Sequence, residues 1–289
     1  KDWDITTSAK PEEIQEVFPG SFYENTFGTV TILTENENSA LRAVEITPFR
    51  IEGKYSDRRH PDEIKFAKTL KEDLSRRDFT INAMAIKQDK VADYFGGKDD
   101  LKNKTIKTVG DPDERFREDA LRIMRATRLA TELDFDIEKK TAEAIKNNSE
   151  LIKEISVERV RDELIKILSI PSKNPTGKIK FWQESELTES DLASGAIKGV
   201  ELLRDLGILK HIIPELEAGM GVTQNKHHIF TVWEHNMRAF AYAVKMDFSL
   251  EVKIASLFHD IGKPHSKRGE GPDSTFYGHE VAGAKITSG

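Results

Sequence analysis

The sequence predicts an α+β protein in which a mixed strand-and-helix region is followed by a helical remainder. Three observations support this division. Two β-branched runs, 29–33 and 43–47, are typical of strands. Gly96 and Gly97 form a break where residues without a Cβ let the chain turn. Apolar residues beyond residue 112 recur almost everywhere with helical spacing.

The composition limits the possible classes of function. The chain has 289 residues, 37% of them hydrophobic, which suits two or three domains with real cores. The absence of cysteine excludes disulfides, thiolate metal sites and a cysteine nucleophile. The net charge of −6 argues against a purely electrostatic coat on nucleic acid, but it allows a local basic groove. No apolar run is long enough to span a membrane and the opening residues do not resemble a targeting segment, so we expect a cytoplasmic protein.

Local signals predict the elements of the first region. Pro11 at a first helical position, with acidic residues after it, predicts a short helix over 11–18. The polar residues 35–38 predict a hairpin turn between the two strands. The polar run 53–71 is expected to be a loop, and the segment 79–86 is apolar enough to be buried.

Beyond Gly110 the apolar spacing predicts helices joined by one clear linker. The linker is the stretch 172–177, which contains Ser, Pro and Gly. The helical segments are 113–132, 138–147, 157–168, 198–206 and 232–246.

Asp2 and Asp4 are the first candidates for chemistry. In a strand, residues two apart point to the same face, so these two carboxylates repel each other unless a cation lies between them. Mg²⁺ prefers such oxygen ligands and keeps waters for substrate phosphates. Glu45, in the second β-branched run, could be a third carboxylate, and such a set can hold metal ions for nucleotidyl transfer. On spacing alone, a plain surface pattern is the better explanation of Asp-x-Asp, and the metal site depends on the segments that follow.

Six segments of the chain follow one another in a specific order. The longest is Ser75–Ala85, which reads SRRDFTINAMA. The others are Asp2–Ile5, Val44–Arg50, Asp93–Leu101, Arg117–Arg122 and Ile155–Leu164. Together they resemble the class II tRNA nucleotidyltransferase and poly(A) polymerase family almost continuously over residues 1–170. The family's Gly-Gly-x-Val-Arg-Asp segment has no counterpart here, so we expect the head to be incomplete at its N-terminus.

The resemblance implies a nucleotidyltransferase-type mixed sheet head, a helical neck and body, and a reaction. CMP and AMP would pass from CTP and ATP to a tRNA 3′ end without a nucleic-acid template. Mg²⁺ held by Asp2 and Asp4 would activate the 3′-hydroxyl, with Glu45 as ligand or base. The segment 53–62 looks like the loop kept by members that add the terminal A, so full CCA addition and A addition both stay open. The residues implied to bind nucleotide are Arg77, Asp78, Asn82, Asp119, Arg122, Arg125 and Arg128.

Asp119 and Arg122 are implied to select the incoming base. Three residues apart on a helix, they would share a face, and a carboxylate beside a guanidinium can pair with the Watson–Crick edge of cytosine or adenine. Arg125 and Arg128 continue the same three-residue spacing and are implied to reach phosphates or RNA. Without the family context, a solvated face explains the same spacing. The opposite stripe, expected to face the core, is Phe116, Ala120, Ile123, Thr127 and Ala130.

Histidines cluster near the end of the chain. His235, followed by the His259-Asp260 pair, resembles an HD domain, a helical fold that holds a divalent metal through a His, a His-Asp pair and a later Asp. These three residues are candidate ligands for a second divalent metal, since imidazole suits transition metals. The later Asp is not found, so we expect this domain to be incomplete at its C-terminus. The segment Phe276–Glu280 follows in the same resemblance, and its His279 could instead be a surface residue.

Four domains follow from these motifs. They are a head over 1–95, a neck with the nucleotide-selecting helix over 96–170, a helical body over 171–226 and an HD domain over 227–289. A poly(A) polymerase of the same family is the nearest rival interpretation. An HD-type phosphohydrolase with an inactive head and a non-catalytic RNA-binding module are the other two. The oligomeric state is left open.

Overall fold

Contacts divide the chain into two compact units. The computed structural model describes residues 5–24, 28–38, 41–53, 64–173, 187–193, 195–225 and 229–288. The first unit comprises Lys1–Lys102 with Lys107–Asp119, and the second comprises Asn103–Ile106 with Ala120–Gly289. Most strands lie in the first unit and the second is mainly helical, so the predicted α+β class is confirmed. The division into four domains stays a prediction.

A four-stranded sheet dominates the first unit, with the strand order β1-β4-β3-β2. β1 runs parallel to β4, and β3 pairs antiparallel with both β4 and β2. The predicted strands are confirmed, because β-branched residues suit such a half-buried pleated surface. Helix α1 begins at Pro11, as predicted, and buries Ile14. The elements are β1 (Ile5–Thr7), α1 (Pro11–Val17), β2 (Phe22–Glu24), β3 (Thr29–Leu33) and β4 (Ala43–Pro48).

Short hairpins and helices complete the first unit. The predicted loop over 53–71 is wrong from residue 64 onward. A strand lies at Ile64–Phe66, and Thr69 caps a helix by accepting from the backbone N–H of Glu72. Residues 54–63 lie outside the described part of the chain. Phe79 is fully buried as predicted, whereas Ile86 is 73% exposed. The elements are β5 (Arg50–Glu52), β6 (Ile64–Phe66), α2 (Leu70–Ser75), a 3-10 turn (Thr80–Asn82), β7 (Met84–Lys87), β8 (Lys90–Asp93), α3 (Gly97–Lys102) and α4 (Pro112–Glu118).

Asp93 organises the turn between β8 and α3. Its carboxylate accepts hydrogen bonds from the four backbone N–H groups of residues 95–98. These bonds satisfy donors that a helix start leaves open. Burial alone would raise the pKa of Asp93, but the four bonds lower it. Gly97 is required at this point, because a Cβ there would lie 2.2 Å from the carbonyl oxygen of Thr80.

The second unit is built from helices. α5 packs against α7 and α9, and α7 and α9 also pack against each other. Gly199 on α9 permits its close approach to α7, since a Cβ there would lie 2.4 Å from Ile167. The helices predicted over 138–147, 157–168, 198–206 and 232–246 are confirmed, and the predicted linker 172–177 is described only to Lys173. The elements are β9 (Thr105–Ile106), α5 (Leu121–Leu133), β10 (Asp136–Ile137), α6 (Lys139–Asn148), a 3-10 helix (Ser149–Glu154), α7 (Val157–Leu168), α8 (Glu189–Leu192), α9 (Gly195–Asp205), α10 (Leu209–Ile212), α11 (Pro214–Glu217), α12 (Val232–Lys245), α13 (Leu250–Phe258), α14 (Lys263–Ser266) and α15 (His279–Ser288).

The single helix predicted over 113–132 is wrong, because the chain forms two helices there. α4 ends at Glu118, Asp119 has an extended backbone (φ −141°, ψ 103°), and α5 begins at Leu121. The apolar spacing continues unchanged across the break, so periodicity alone could not reveal it. The predicted core stripe is confirmed, because all of its members have 0% exposure: Phe116, Ala120, Ile123, Thr127 and Ala130.

Among the described residues, no helix combines the length and the apolar character that crossing a membrane requires.

Candidate functional site

The predicted carboxylate site lies only partly within the described residues. Asp2 and Asp4 are outside them, and Ile5, the next residue in sequence, begins β1. Glu45 is exposed on β4, the strand that pairs with β1, and stands opposite Thr31. An exposed carboxylate needs no buried partner. Burial therefore gives no argument for Glu45 as a ligand, and its role stays a prediction.

Three predicted nucleotide-binding residues meet in the first unit. Asp78 Oδ1 accepts from the backbone N–H of Phe79 at 2.8 Å and from Asn82 Nδ2 at 3.4 Å. Arg77 Nη1 donates to the backbone oxygen of Asn82 at 3.5 Å. Arg77 Nε is buried and has no hydrogen-bond partner among the described residues. A buried donor without a partner costs free energy, so this guanidinium has capacity for an added acceptor such as a phosphate oxygen.

Asp73 is a residue that the sequence analysis missed. Its side chain on α2 is fully buried, and its Oδ1 accepts from the backbone N–H of Arg50 at 3.2 Å and from Arg76 Nε at 3.0 Å. Asp73 thereby connects the start of β5 to the residue just before Arg77. The available signal was an Asp three residues before an Arg, a spacing that brings the two side chains together on a helix.

The residues implied to select the base are placed on different elements. Asp119 belongs to the first unit, and Arg122 and Arg125 lie on α5 in the second. Because Asp119 is extended and outside α5, the helical spacing argument that put it on the face of Arg122 is wrong. Arg122 is buried, with 7% exposure. The roles of Asp119, Arg122 and Arg125 in nucleotide binding stay predictions.

Arg128 is engaged by two carboxylates within the second unit. Its Nη1 donates to Glu132 and its Nε donates to Glu163 on α7, each at 2.7 Å. Burial alone would raise the pKa of Glu163, but hydrogen bonds from Lys166 and Arg128 lower it. A direct contact of Arg128 with phosphate would have to compete with these ion pairs. Its predicted nucleotide contact has no support from this arrangement.

The three predicted ligands in the histidine-rich region come together. The possible ligand atoms of His235, His259 and Asp260 all lie within 4.8 Å of one another. Asp260 Oδ2 is 3.5 Å from His235 Nε2 and 3.3 Å from His259 Nε2. Burial alone would raise the pKa of Asp260, but hydrogen bonds from His259 and Lys263 hold it well below its usual range. α12 supplies His235, and His259 follows the end of α13.

Two further residues join this cluster, and neither was among the three candidate ligands. His279 Nε2 approaches Asp260 Oδ1 at 3.6 Å, so His279 belongs to the cluster and is not only a surface residue. Lys263 Nζ lies 2.6 Å from Asp260 Oδ2. For Lys263 the available signal was its position three residues after Asp260.

The cluster fits a metal ion that imidazole binds well. Nδ1 of His259 lies 2.8 Å from the carbonyl oxygen of Ser256, and Nδ1 of His279 lies 2.8 Å from that of Phe276. A carbonyl oxygen only accepts, so each Nδ1 carries a proton, and Nε2, which faces Asp260, is the atom that a metal ion would bind after losing its own proton. Such outer hydrogen bonds orient the histidine ligands of metals. Imidazoles with one carboxylate favour a transition metal over Mg²⁺.

Gly262→Ala is expected to disrupt this arrangement. A Cβ there would lie 2.1 Å from the carbonyl oxygen of His279 and 2.5 Å from the backbone nitrogen of Gly283, so the backbone must move. We expect a loss of about 1–3 kcal/mol in the free energy of unfolding, measured by urea denaturation. Gly283→Ala is the matched control, because its Cβ would meet Gly262 only at 3.6 Å. Equal stabilities of the two variants would contradict the packing argument.

Three sequence families match successive parts of the chain. Residues 1–107 match the family described as "Poly A polymerase head domain". Residues 134–175 match "Probable RNA and SrmB-binding site of polymerase A". Residues 232–289 match "HD domain".

Curated relatives carry the name CCA-adding enzyme. The protein of Lactobacillus helveticus is 52% identical over 168 residues, which is 57% of this chain and 41% of that relative. The protein of Enterococcus faecalis is 49% identical over 169 residues, 58% of this chain and 40% of the relative. The matched segments thus span less than half the length of these relatives.

Solved structures of CCA-adding enzymes are similar to this chain as well. The Bacillus stearothermophilus CCA-adding enzyme in complex with CTP is similar, with a TM-score of 0.58, 28% identity and coverage of 89% of this chain and 59% of that chain. The Thermotoga maritima CCA-adding enzyme complexed with tRNA shares the fold, with a TM-score of 0.57, 23% identity and coverage of 89% and 53%. The matches thus relate residues 1–107 and 134–175 to the nucleotidyltransferases of the poly(A) polymerase family, and residues 232–289 to the HD domain.

Proposed function

We propose that this protein is a cytoplasmic nucleotidyltransferase that transfers CMP and AMP from CTP and ATP to the 3′ end of tRNA without a template. The observation that carries the proposal is the identity of about 50% to CCA-adding enzymes over 168 residues. That segment spans only part of each relative, so the activity is an inference from its matched motifs. Full CCA addition and addition of the terminal A are both consistent with these motifs.

We assign the chemistry of the head to carboxylates and an arginine. Asp2 and Asp4, with Glu45 as a weaker third candidate, offer the oxygen ligands that Mg²⁺ prefers. Mg²⁺ bound there would lower the pKa of the RNA 3′-hydroxyl and neutralise charge on the leaving pyrophosphate. Arg77, held by Asn82 and left with an unpaired buried Nε, would hold the triphosphate. Asp78 would contact the ribose while its Oδ1 keeps Asn82 in place.

We assign selection of the incoming base to Asp119 and Arg122. A carboxylate acceptor and a guanidinium donor together match the Watson–Crick edges of cytosine and adenine. Arg125 would contact phosphate or RNA, and Arg128 would act mainly by fixing α5 to α7 through Glu163. The support for this assignment is the match of residues 117–122 to the family motif, not the placement of the side chains.

The test of this proposal is incubation of the protein with tRNAs that end before C74, after C74 or after C75. CTP and ATP are supplied singly and together with Mg²⁺, and product lengths are read on a denaturing gel. Extension to a complete CCA end supports full CCA addition, and extension only from the C75 end supports A addition. Long A tracts made without CTP would indicate a poly(A) polymerase. Binding of tRNA without any extension would indicate an RNA-binding module.

We propose a divalent metal site in the HD domain as a second function, formed by His235, His259 and Asp260. The specific observation is their convergence within 4.8 Å. A cavity of about 330 Å³ opens beside it, lined by Lys263, Tyr277 and His279 among others, and it has room for a small phosphate ester. A metal ion bound there would supply an activated water for hydrolysis.

His259→Ala tests this second function separately from the first. We expect the variant to lose metal-dependent hydrolysis of bis(p-nitrophenyl) phosphate, because the substitution removes one imidazole ligand. Nucleotide incorporation into tRNA is expected to stay within about threefold of the unmodified protein, because His259 lies outside the proposed transfer site. Unchanged hydrolysis in the variant, or no hydrolysis by either protein with Mn²⁺, Co²⁺ or Ni²⁺, would exclude a hydrolase at this cluster.

A further inference from the structure

One oxygen atom of the histidine cluster has three close neighbours. Asp260 Oδ2 lies 2.6 Å from Lys263 Nζ, 3.3 Å from His259 Nε2 and 3.5 Å from His235 Nε2. The ammonium and both imidazoles therefore converge on the same carboxylate oxygen. A metal ion held by the two imidazoles would compete for that oxygen with Lys263, which is already bonded to it.

Lys263 is built into this position and does not simply reach it from solvent. Its side chain is 10% exposed, and its Nζ also donates to Gln224 Oε1 at 2.7 Å. Gln224 is 5% exposed and is fixed in turn, because its Nε2 donates to the carbonyl oxygen of Phe230 at 3.1 Å. The ring of Phe276 lies 5.7 Å from the ammonium. A buried ammonium needs a counter-charge, and Asp260 supplies it.

This arrangement balances the charge of the cluster without a metal ion. The carboxylate of Asp260 and the ammonium of Lys263 cancel. Among the described residues, Glu280 also brings a carboxylate close to the cluster, but it is 72% exposed and approaches Nδ1 of His279, not Asp260. A divalent ion added beside a fixed ammonium is repelled by it in a partly buried site.

We propose that Lys263 is the resident cation of this cluster and that a divalent ion binds there only by displacing the ammonium from Asp260. Lys263 therefore limits the metal affinity of the site. This inference rests on the metal site proposed for the HD domain. Its consequence is unusual for a residue in contact with a metal ligand, because removing Lys263 should strengthen metal binding.

The experiment measures binding of Co²⁺ to the protein by isothermal titration calorimetry and by the visible absorption of the bound ion. Lys263→Met keeps the apolar stem and removes the charge, so we expect its Kd to fall at least tenfold. Lys263→Arg keeps the charge, and its Kd should stay within threefold of the unmodified protein. Lys267→Met is the matched control, since Lys267 contacts Thr223 and Glu270 but not Asp260. The control loses the same charge and should bind Co²⁺ as the unmodified protein does.

The outcomes separate the two proposals. Cobalt binding that His259→Ala abolishes, but that Lys263→Met leaves unchanged or weakens, overturns the resident-cation role and keeps the metal site. No His259-dependent cobalt binding in any variant overturns both. Should Lys263→Met fail to fold, Lys263→Gln gives the same comparison with a neutral hydrogen-bonding side chain. A larger rise in melting temperature on adding Co²⁺ in the neutral variants than in Lys263→Arg also supports the proposal, and an equal rise contradicts it.

Discussion

Asp4→Asn is expected to reduce incorporation of CMP into tRNA by about 10³-fold or more. The amide keeps the size of the side chain but loses the negative charge that would hold Mg²⁺. A metal ion contributes several kcal/mol to stabilising the transition state, and each 1.36 kcal/mol is a factor of ten in rate. The measurement is single-turnover extension of a tRNA lacking its CCA end, at saturating CTP.

Two controls define what this result means. Glu12→Gln, which removes an exposed carboxylate on α1, should leave the rate unchanged. The Kd of the Asp4→Asn protein for tRNA, measured by filter binding, should stay within about threefold of that of the unmodified protein, because the loss is in the chemical step. A variant that retains a tenth or more of the rate would remove Asp4 from the proposed metal site.

Asp119→Ala is expected to remove most of the discrimination between correct and incorrect nucleotides. Cytosine and adenine both present an amino group where uracil and guanine present a carbonyl oxygen. A carboxylate accepts from the amino group and repels the carbonyl. A polar site that loses its matching group typically loses discrimination by roughly 100-fold or more. The quantity to measure is the ratio of kcat/KM for CTP to that for UTP.

Asp99→Asn is the control for this experiment, because Asp99 is an exposed residue of α3. Its ratio should equal that of the unmodified protein. If Asp119→Ala lowers kcat/KM for all four nucleotides equally, Asp119 supports the structure of the site and does not recognise the base. An unchanged ratio with an unchanged rate would exclude both roles.

Local patterns were sufficient for elements whose signals are strong. The β-branched runs gave β3 and β4, Pro11 marked the start of α1, and the apolar spacing of 157–168 matched α7 residue for residue. These cases share one physical basis. The same residues that bury an apolar face also have the backbone preference for the element, so local and global demands agree.

Other elements escaped prediction for identifiable reasons. α2 lies in a polar segment, and only the capping pair Thr69 and Glu72 marks its start. The break at Asp119 contains neither Gly nor Pro, and the buried stripe keeps its spacing on both sides. A backbone change that leaves the burial pattern intact has no signature in apolar periodicity.

The sequence by itself determined the family resemblance, the α+β class and the identity of the candidate chemical groups, because these depend on residue types in a fixed order. Only the tertiary structure decided which groups meet. It brought His279 to Asp260 and bound Arg128 to Glu163 by packing between elements distant in sequence, whereas Lys263 reaches Asp260 from only three residues further along the chain. Side-chain proximity across such distances depends on the packing of whole elements, which no local pattern of residues encodes.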